Sequence, residues 1–159
     1  MDGRLLATGH FDGRVFRGDA ASGDQLASFD AHRELVMEVA FSPDGRWRAS
    51  AGWDGASRLW DVDRRDAAGQ FGRTEAPAYG IAFSPDRCRV ANGGLTGPLS
   101  VGIWDVTTRQ HLTDLVGPGC FFFAPRFSPD GRTIAVWKYT EDVTCFWRVP
   151  SLEDIDRQE

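Results

Sequence analysis

The sequence predicts an all-β chain built from four-stranded antiparallel units, and three observations predict it. Phe41-Ser42-Pro43-Asp44-Gly45 recurs as Phe83-Ser84-Pro85-Asp86-Arg87 and as Phe127-Ser128-Pro129-Asp130-Gly131, 42 and then 44 residues further on. A second marker keeps the same beat, as Leu59-Trp60-Asp61-Val62, Ile103-Trp104-Asp105-Val106 and Phe146-Trp147-Arg148-Val149. Turn residues punctuate the chain about every 8 to 12 residues, with no sustained 3.6-residue period between them, which argues against a helical solenoid of similar repeat length.

Each element of the unit follows from local chemistry. Val36 to Phe41 is a β-rich run, and Ser-Pro-Asp-Gly then reverses the chain, since Pro presets φ and Gly accepts positive φ. Trp47 to Ala51 supplies a second strand, Trp53-Asp54-Gly55 a hairpin turn, and Ser57 to Val62 a third strand. A weaker fourth is expected at Gln70-Phe71, matching Leu26 to Phe29 one unit earlier. A worn copy opens the chain: Asp2-Gly3 aligns with Asp44-Gly45, Asp12-Gly13 with Asp54-Gly55, and Gly18-Asp19 with Trp60-Asp61. Four short strands per unit of about 42 residues is the spacing of a β-propeller blade, which buries its faces only against its neighbours. The expectation is therefore one partial, open propeller of about four blades over residues 1–159. The first blade, 1–31, is incomplete; the second spans 32–73, the third 74–117, and the fourth 118–159 with a polar tail from Pro150.

Composition narrows the function classes. The formal net charge is -5, from 18 Lys+Arg against 23 Asp+Glu, and the basic residues are scattered, so no phosphate-tracking stripe points to nucleic acid. No apolar run approaches the length of a membrane span, and Leu5-Leu6-Ala7 is too short for a signal-peptide core, so neither a membrane partner nor export is expected and the cytoplasm is the expected location. Cys88, Cys120 and Cys145 are widely spaced and odd in number, which suggests neither a disulfide framework nor a metal site. His10, His32 and His111 lie in separate repeats without ligand spacing, and no phosphate loop or pair of convergent carboxylates appears. No cofactor, metal or catalytic residue is expected, and the chain is read as a non-enzyme.

Phe-Ser-Pro-Asp-Gly, a small-residue strand, Asp-Gly and Leu-Trp-Asp-Val, in that order and repeated in register, closely resemble the WD-repeat family of β-propellers over nearly all of residues 2–149. The resemblance implies a hydrogen-bonded tetrad of Trp, Ser or Thr, His and Asp, complete once as Trp60, Ser50, His32 and Asp54. It implies a structural role for the four, because a buried hydroxyl and imidazole must be satisfied; a Ser/His/Asp catalytic triad would need an exposed nucleophile beside an oxyanion hole. Elsewhere the pattern departs: Thr74 and Pro118 stand at the position of His32, Asn92 and Val136 at that of Ser50, and Gly18 at that of Trp60.

The resemblance also implies a protein or peptide partner held by one face of the propeller. That face is formed by the residue before the second-turn Asp and by the entry to the innermost strand. Those slots hold Phe11, Trp53 and Leu95, and Leu35 with Met37, Pro77 with Tyr79, and Phe121 with Phe123. These residues either form one exposed apolar patch or pack in part into neighbouring blades. Two further expectations remain open beside the scaffold: a piece of a larger multi-domain WD-repeat protein without independent activity, and a channel-site enzyme or small-ligand binder. An open fan also raises the prospect of a homo-oligomer that completes the ring.

Overall fold

Fourteen strands carry the chain in a computed structural model that describes residues 3–62, 67–73, 76–94, 100–117, 122–138 and 141–150, and among these residues there is no helix. The first sheet contains β1 (Leu5–Gly9), β2 (Arg14–Asp19) and β3 (Gln25–Asp30). The second contains β4 (Val36–Phe41), β5 (Trp47–Gly52), β6 (Ala56–Asp61) and β7 (Ala67–Arg73). The third contains β8 (Ala78–Phe83), β9 (Arg89–Gly94), β10 (Ser100–Asp105) and β11 (His111–Val116), and the fourth β12 (Phe122–Phe127), β13 (Thr133–Lys138) and β14 (Val143–Arg148). Every pairing is antiparallel between strands consecutive in the chain, so each sheet is a meander and none closes on itself. This is the partial, open propeller that the repeat predicts.

Strand β7 is longer than the predicted Gln70-Phe71. Ala67, Ala68 and Gly69 have little strand preference of their own, but Ala67 pairs with Trp60 and Gly69 with Leu59, so the neighbouring ladder recruits them.

Side-chain alternation sends one row of each sheet into each neighbour. Between the first two sheets lie Val15, Ala31, Val36 and Trp60, with Phe29 packed against them. Between the second and third lie Ala49, Ala51, Leu59 and Phe71 from one side and Ile81, Phe83 and Val90 from the other. Val101, Ile103 and Leu115 meet Ile134, Val136 and Val149 at the last seam. Burying each large aliphatic or aromatic side chain contributes roughly 1.5–3 kcal/mol, so the seams carry most of the stability. The repeat's tryptophans all face the preceding sheet: Trp60 joins the first seam, Trp104 the second and Trp147 the third.

The Ser-Pro-Asp turns explain why that motif recurs. Ser42, Ser84 and Ser128 each donate from Oγ to Oδ1 of Asp44, Asp86 and Asp130, at 2.5, 2.5 and 2.6 Å, and each Oγ accepts from the amide of the residue that starts the next strand. The fourth turn residue sits at positive φ, +73° at Gly45 and +70° at Gly131, while Arg87 adopts +69° without glycine's freedom.

Among the described residues three charged side chains are buried, Arg48, Arg89 and Lys138, and the first interrupts the apolar pattern of its strand position. Arg48 stands where Val90 and Ile134 stand in the next two sheets, is almost wholly buried, and lies 5.0 Å above the ring of Phe29. Burial, with Arg17 nearby, pushes its pKa down to about 10.

Candidate interaction face

Because the strands alternate in direction, the Ser-Pro-Asp turns lie at one end of the sheets. The Asp-Gly turns, with the entries to β4, β8 and β12, lie at the other. Backbone bonds knit that second end: the Val36 amide donates to the His10 carbonyl at 3.0 Å, Trp53 to Leu35 at 2.9 Å and His32 to Gly13 at 2.8 Å.

The turn itself projects two aromatics. In His10-Phe11-Asp12-Gly13 the Gly13 amide donates to the His10 carbonyl, and in Gly52-Trp53-Asp54-Gly55 the Gly55 amide donates to Gly52. Asp12 and Asp54 fold back to accept from the amides of Arg14 and Ala56, and both terminal glycines take positive φ. The residue after the first turn position is thereby directed outward: Phe11 is 87% exposed and Trp53 45%.

The inner-strand positions behave differently. The ladder of β4 with β5 shifts register between Val36 and Glu38, and that of β8 with β9 between Ala78 and Gly80, so Met37 and Tyr79 are bulge residues. A bulge re-aims its side chain. Met37, Tyr79 and Phe123 are half-buried, and the rings of Tyr79 and Phe123 lie 4.6 Å apart in a tilted contact. Leu35 and Pro77 are half-buried at the strand entries. Leu95 and Phe121 lie outside the described residues. Among the described residues no ring stacking joins Phe11 to Trp53, so the slots divide into two projecting aromatics and a partly buried row. Residue reading missed Trp137, whose ring lies 5.8 Å from Phe123. The available signal was a large aromatic at the repeat position of Ala51 and Gly93.

Beneath Trp53 the four tetrad side chains form one continuous chain of hydrogen bonds. Trp60 Nε1–H donates to Ser50 Oγ at 2.9 Å, Ser50 Oγ–H to His32 Nε2 at 2.8 Å, and His32 Nδ1–H to Asp54 Oδ1 at 2.8 Å. This proton arrangement uses a neutral imidazole. Burial pushes the His32 pKa down, against the raising effect of Asp54, and the Arg58 charge adds to the lowering. Burial alone would raise the Asp54 pKa, but hydrogen bonds from His32, Arg58 and the Arg33 amide outweigh it and hold the carboxyl well below the usual carboxylate range. A side chain at Gly52 would meet His32 Nδ1 at 2.3 Å, so the imidazole occupies space that only glycine leaves. Ser50 is fully buried with its donor and acceptor roles taken, so it offers no exposed nucleophile.

The other sheets satisfy the same positions in other ways. In the third, Trp104 Nε1–H donates to Asn92 Oδ1 at 2.8 Å, and Asn92 Nδ2 reaches across the seam to Ser57 Oγ at 3.3 Å. In the first, Thr8 Oγ1 and His10 Nε2 are 3.0 Å apart. In the fourth, Val136 is apolar core. Thr74 and Pro118 lie outside the described residues. A polar cleft of about 390 Å³ at the opposite end, between the Ser-Pro-Asp turns of the third and fourth sheets, has Arg89 in its wall. That guanidinium is already bonded to Asp86 and to the carbonyls of Gly131 and Pro150. Among the described residues no group of His, Cys, Asp or Glu is placed to hold a metal ion.

Comparison with known proteins agrees with this geometry. The family described as WD domain, G-beta repeat, matches residues 23–61, from just before β3 to the end of β6. The match crosses from the first sheet into the second, so the sequence repeat and the structural sheet are out of step by one strand. Similar proteins include transducin beta-like protein 3 of Bos taurus, 28% identical over 77% of this chain and 15% of its own length. Target of rapamycin complex subunit LST8 of Bos taurus is 24% identical over 82% of this chain and 40% of its own length. Actin-interacting protein 1 of Drosophila melanogaster is 31% identical over 54% of this chain and 14% of its own length. The chain thus spans less than half the length of each relative. With its family match over residues 23–61, its three registered Ser-Pro-Asp turns, its tryptophan-aspartate strands and its meander sheets, the chain carries a WD repeat and is similar to WD-repeat proteins over most of its length.

Proposed function

We propose that the chain is a WD-repeat interaction module that binds a protein or peptide across the end of the sheets bearing Phe11 and Trp53, with Met37, Tyr79 and Phe123 as the floor of the contact. The observation that carries the reading is the outward projection of Phe11 and Trp53 from turns braced by their own aspartates, and by the tetrad in the case of Trp53. Rigid aromatics held in water by a fixed backbone are what interfaces use as anchors, because little side-chain entropy is lost when they are covered. The names of two relatives add support: one is a subunit of a complex and another interacts with actin. Binding, and not catalysis, is the proposed activity.

The test is quantitative affinity capture with the intact chain beside Trp53→Ala and Phe11→Ala, followed by titration of whatever is retained. A partner whose affinity falls at least about tenfold in either variant supports the reading, in line with the behaviour of anchoring aromatics. Partners retained equally by all three forms would sink it.

A further inference from the structure

The two outward-facing sheet surfaces depart from the repeat in opposite senses. At the interior seams, a residue of one sheet's third strand shares a core with the tryptophan of the next sheet: Leu59 with Trp104, and Ile103 with Trp147. Phe146 occupies the position of Leu59 and Ile103, but on the surface of the fourth sheet turned away from the third, where it is 69% exposed. Phe146 pairs with Ala135, so Trp137, two residues along β13, shares that surface and is 41% exposed. Interior sheets place Ala51 and Gly93 at the Trp137 position. This surface therefore carries large residues where small ones are the rule.

The surface of the first sheet turned away from the second is the converse. Gly18 stands at the tryptophan position, and Leu6↔Gly18 and Thr8↔Phe16 pairing puts these four residues on one face. The absent indole leaves a hollow of about 320 Å³ among Leu6, Thr8, His10, Phe16, Gly18 and Gln25. One surface has gained an aromatic knob at the repeat position whose usual neighbour the other surface has lost.

We propose that two copies of this chain associate head to tail, each seating Phe146 and Trp137 of its fourth sheet against the first sheet of the other, over the hollow at Gly18. The size match is the argument: large opposes small at this seam, where the interior seams oppose medium to large. Each copy offers both surfaces, so two copies related by a twofold axis make the contact twice and cover all four surfaces. The resulting eight sheets lie at the upper end of the usual propeller range of about 4–8 blades. Leu6 and Phe146, the positions varied below, lie outside the residues assigned to the partner contact, so self-association and partner binding are tested separately.

Sedimentation equilibrium of the 159-residue chain tests the proposal. The wild type is expected as a dimer, and Leu6→Glu and Phe146→Glu, both at exposed positions, are each expected as monomers. An equimolar mixture of the two variants is expected to recover a 1:1 dimer, since each keeps the surface that the other has lost. Should either Glu variant fail to fold, Leu6→Ser and Phe146→Ala replace it, each expected to weaken association at least about tenfold. A monomeric wild type, as would follow if other blades of a longer polypeptide cover these surfaces, overturns the proposal. So does a dimer that persists in either single variant, or a mixture of folded variants that fails to associate.

Discussion

Glu38 on β4 and Arg126 on β12 close an ion pair at 2.6 Å although they lie 88 residues apart on sheets separated by a third. The second carboxylate oxygen of Glu38 accepts the Ile81 amide of the intervening sheet at 2.8 Å, so one side chain ties three innermost strands together.

The two partners of that pair are not equivalent. Arg126 is largely exposed, and its loss in Arg126→Ala is expected to lower stability by no more than about 1 kcal/mol. Glu38→Ala also strands the Ile81 amide, and is expected to cost a further 1–3 kcal/mol, roughly, for an unpaired buried donor. Urea unfolding of both variants measures the asymmetry; equal losses would refute it.

The tetrad predicts a steep local penalty. Asp54→Ala leaves His32 and Arg58 without their carboxylate in a buried setting and is expected to destabilise by about 3 kcal/mol or more. Ser50→Ala is expected to cost about 1–3 kcal/mol by orphaning the Trp60 indole and the imidazole. Thr8→Ala, at the matching but exposed position of the first sheet, is expected within about 0.5 kcal/mol of wild type. Denaturation midpoints at constant slope give the three values.

Stability should depend on pH through His32. Its folded pKa lies below the ordinary histidine value of 6.5, so below that pH the unfolded chain binds the proton more readily than the native one. Stability is thus full above about 6.5 and falls as pH falls toward the folded value. Asp54, also depressed, contributes stability present above 3.8 and lost as pH drops toward its folded pKa. In His32→Gln the upper limb of a stability–pH profile should vanish while the acid limb from the turn aspartates persists.

Arg87 adopts φ +69° at the turn position that Gly45 and Gly131 fill in the neighbouring copies. Arg87→Gly is expected to raise stability by about 0.5–1 kcal/mol, because relief of left-handed strain outweighs the entropy that glycine adds to the unfolded chain. A thermal midpoint below that of the wild type would show that the strain is already relieved elsewhere.

How much of this was legible in the residues differs by element. Phe41-Ser-Pro-Asp-Gly45 and its copies determined the strands, the turns and their order, because φ preferences and side-chain to backbone bonds act within a few residues. The repeat register also identified Trp60, Ser50, His32 and Asp54 as one group, which the folded chain joins by hydrogen bonds of 2.8 to 2.9 Å. Only the tertiary structure decided the rest. Arg48 looks like an outward charge in a strand but lies buried over Phe29, because the side of the sheet that meets a neighbour depends on how the sheets stack. Phe11 and Tyr79 fill analogous slots in the repeat, yet one projects into water and the other rests on Phe123, since a turn points its residue outward and a bulge turns its residue along the strand row. The bond from Glu38 to Arg126 belongs to the same class: local sequence sets strands and turns, whereas contacts between residues 88 apart exist only once the sheets have packed.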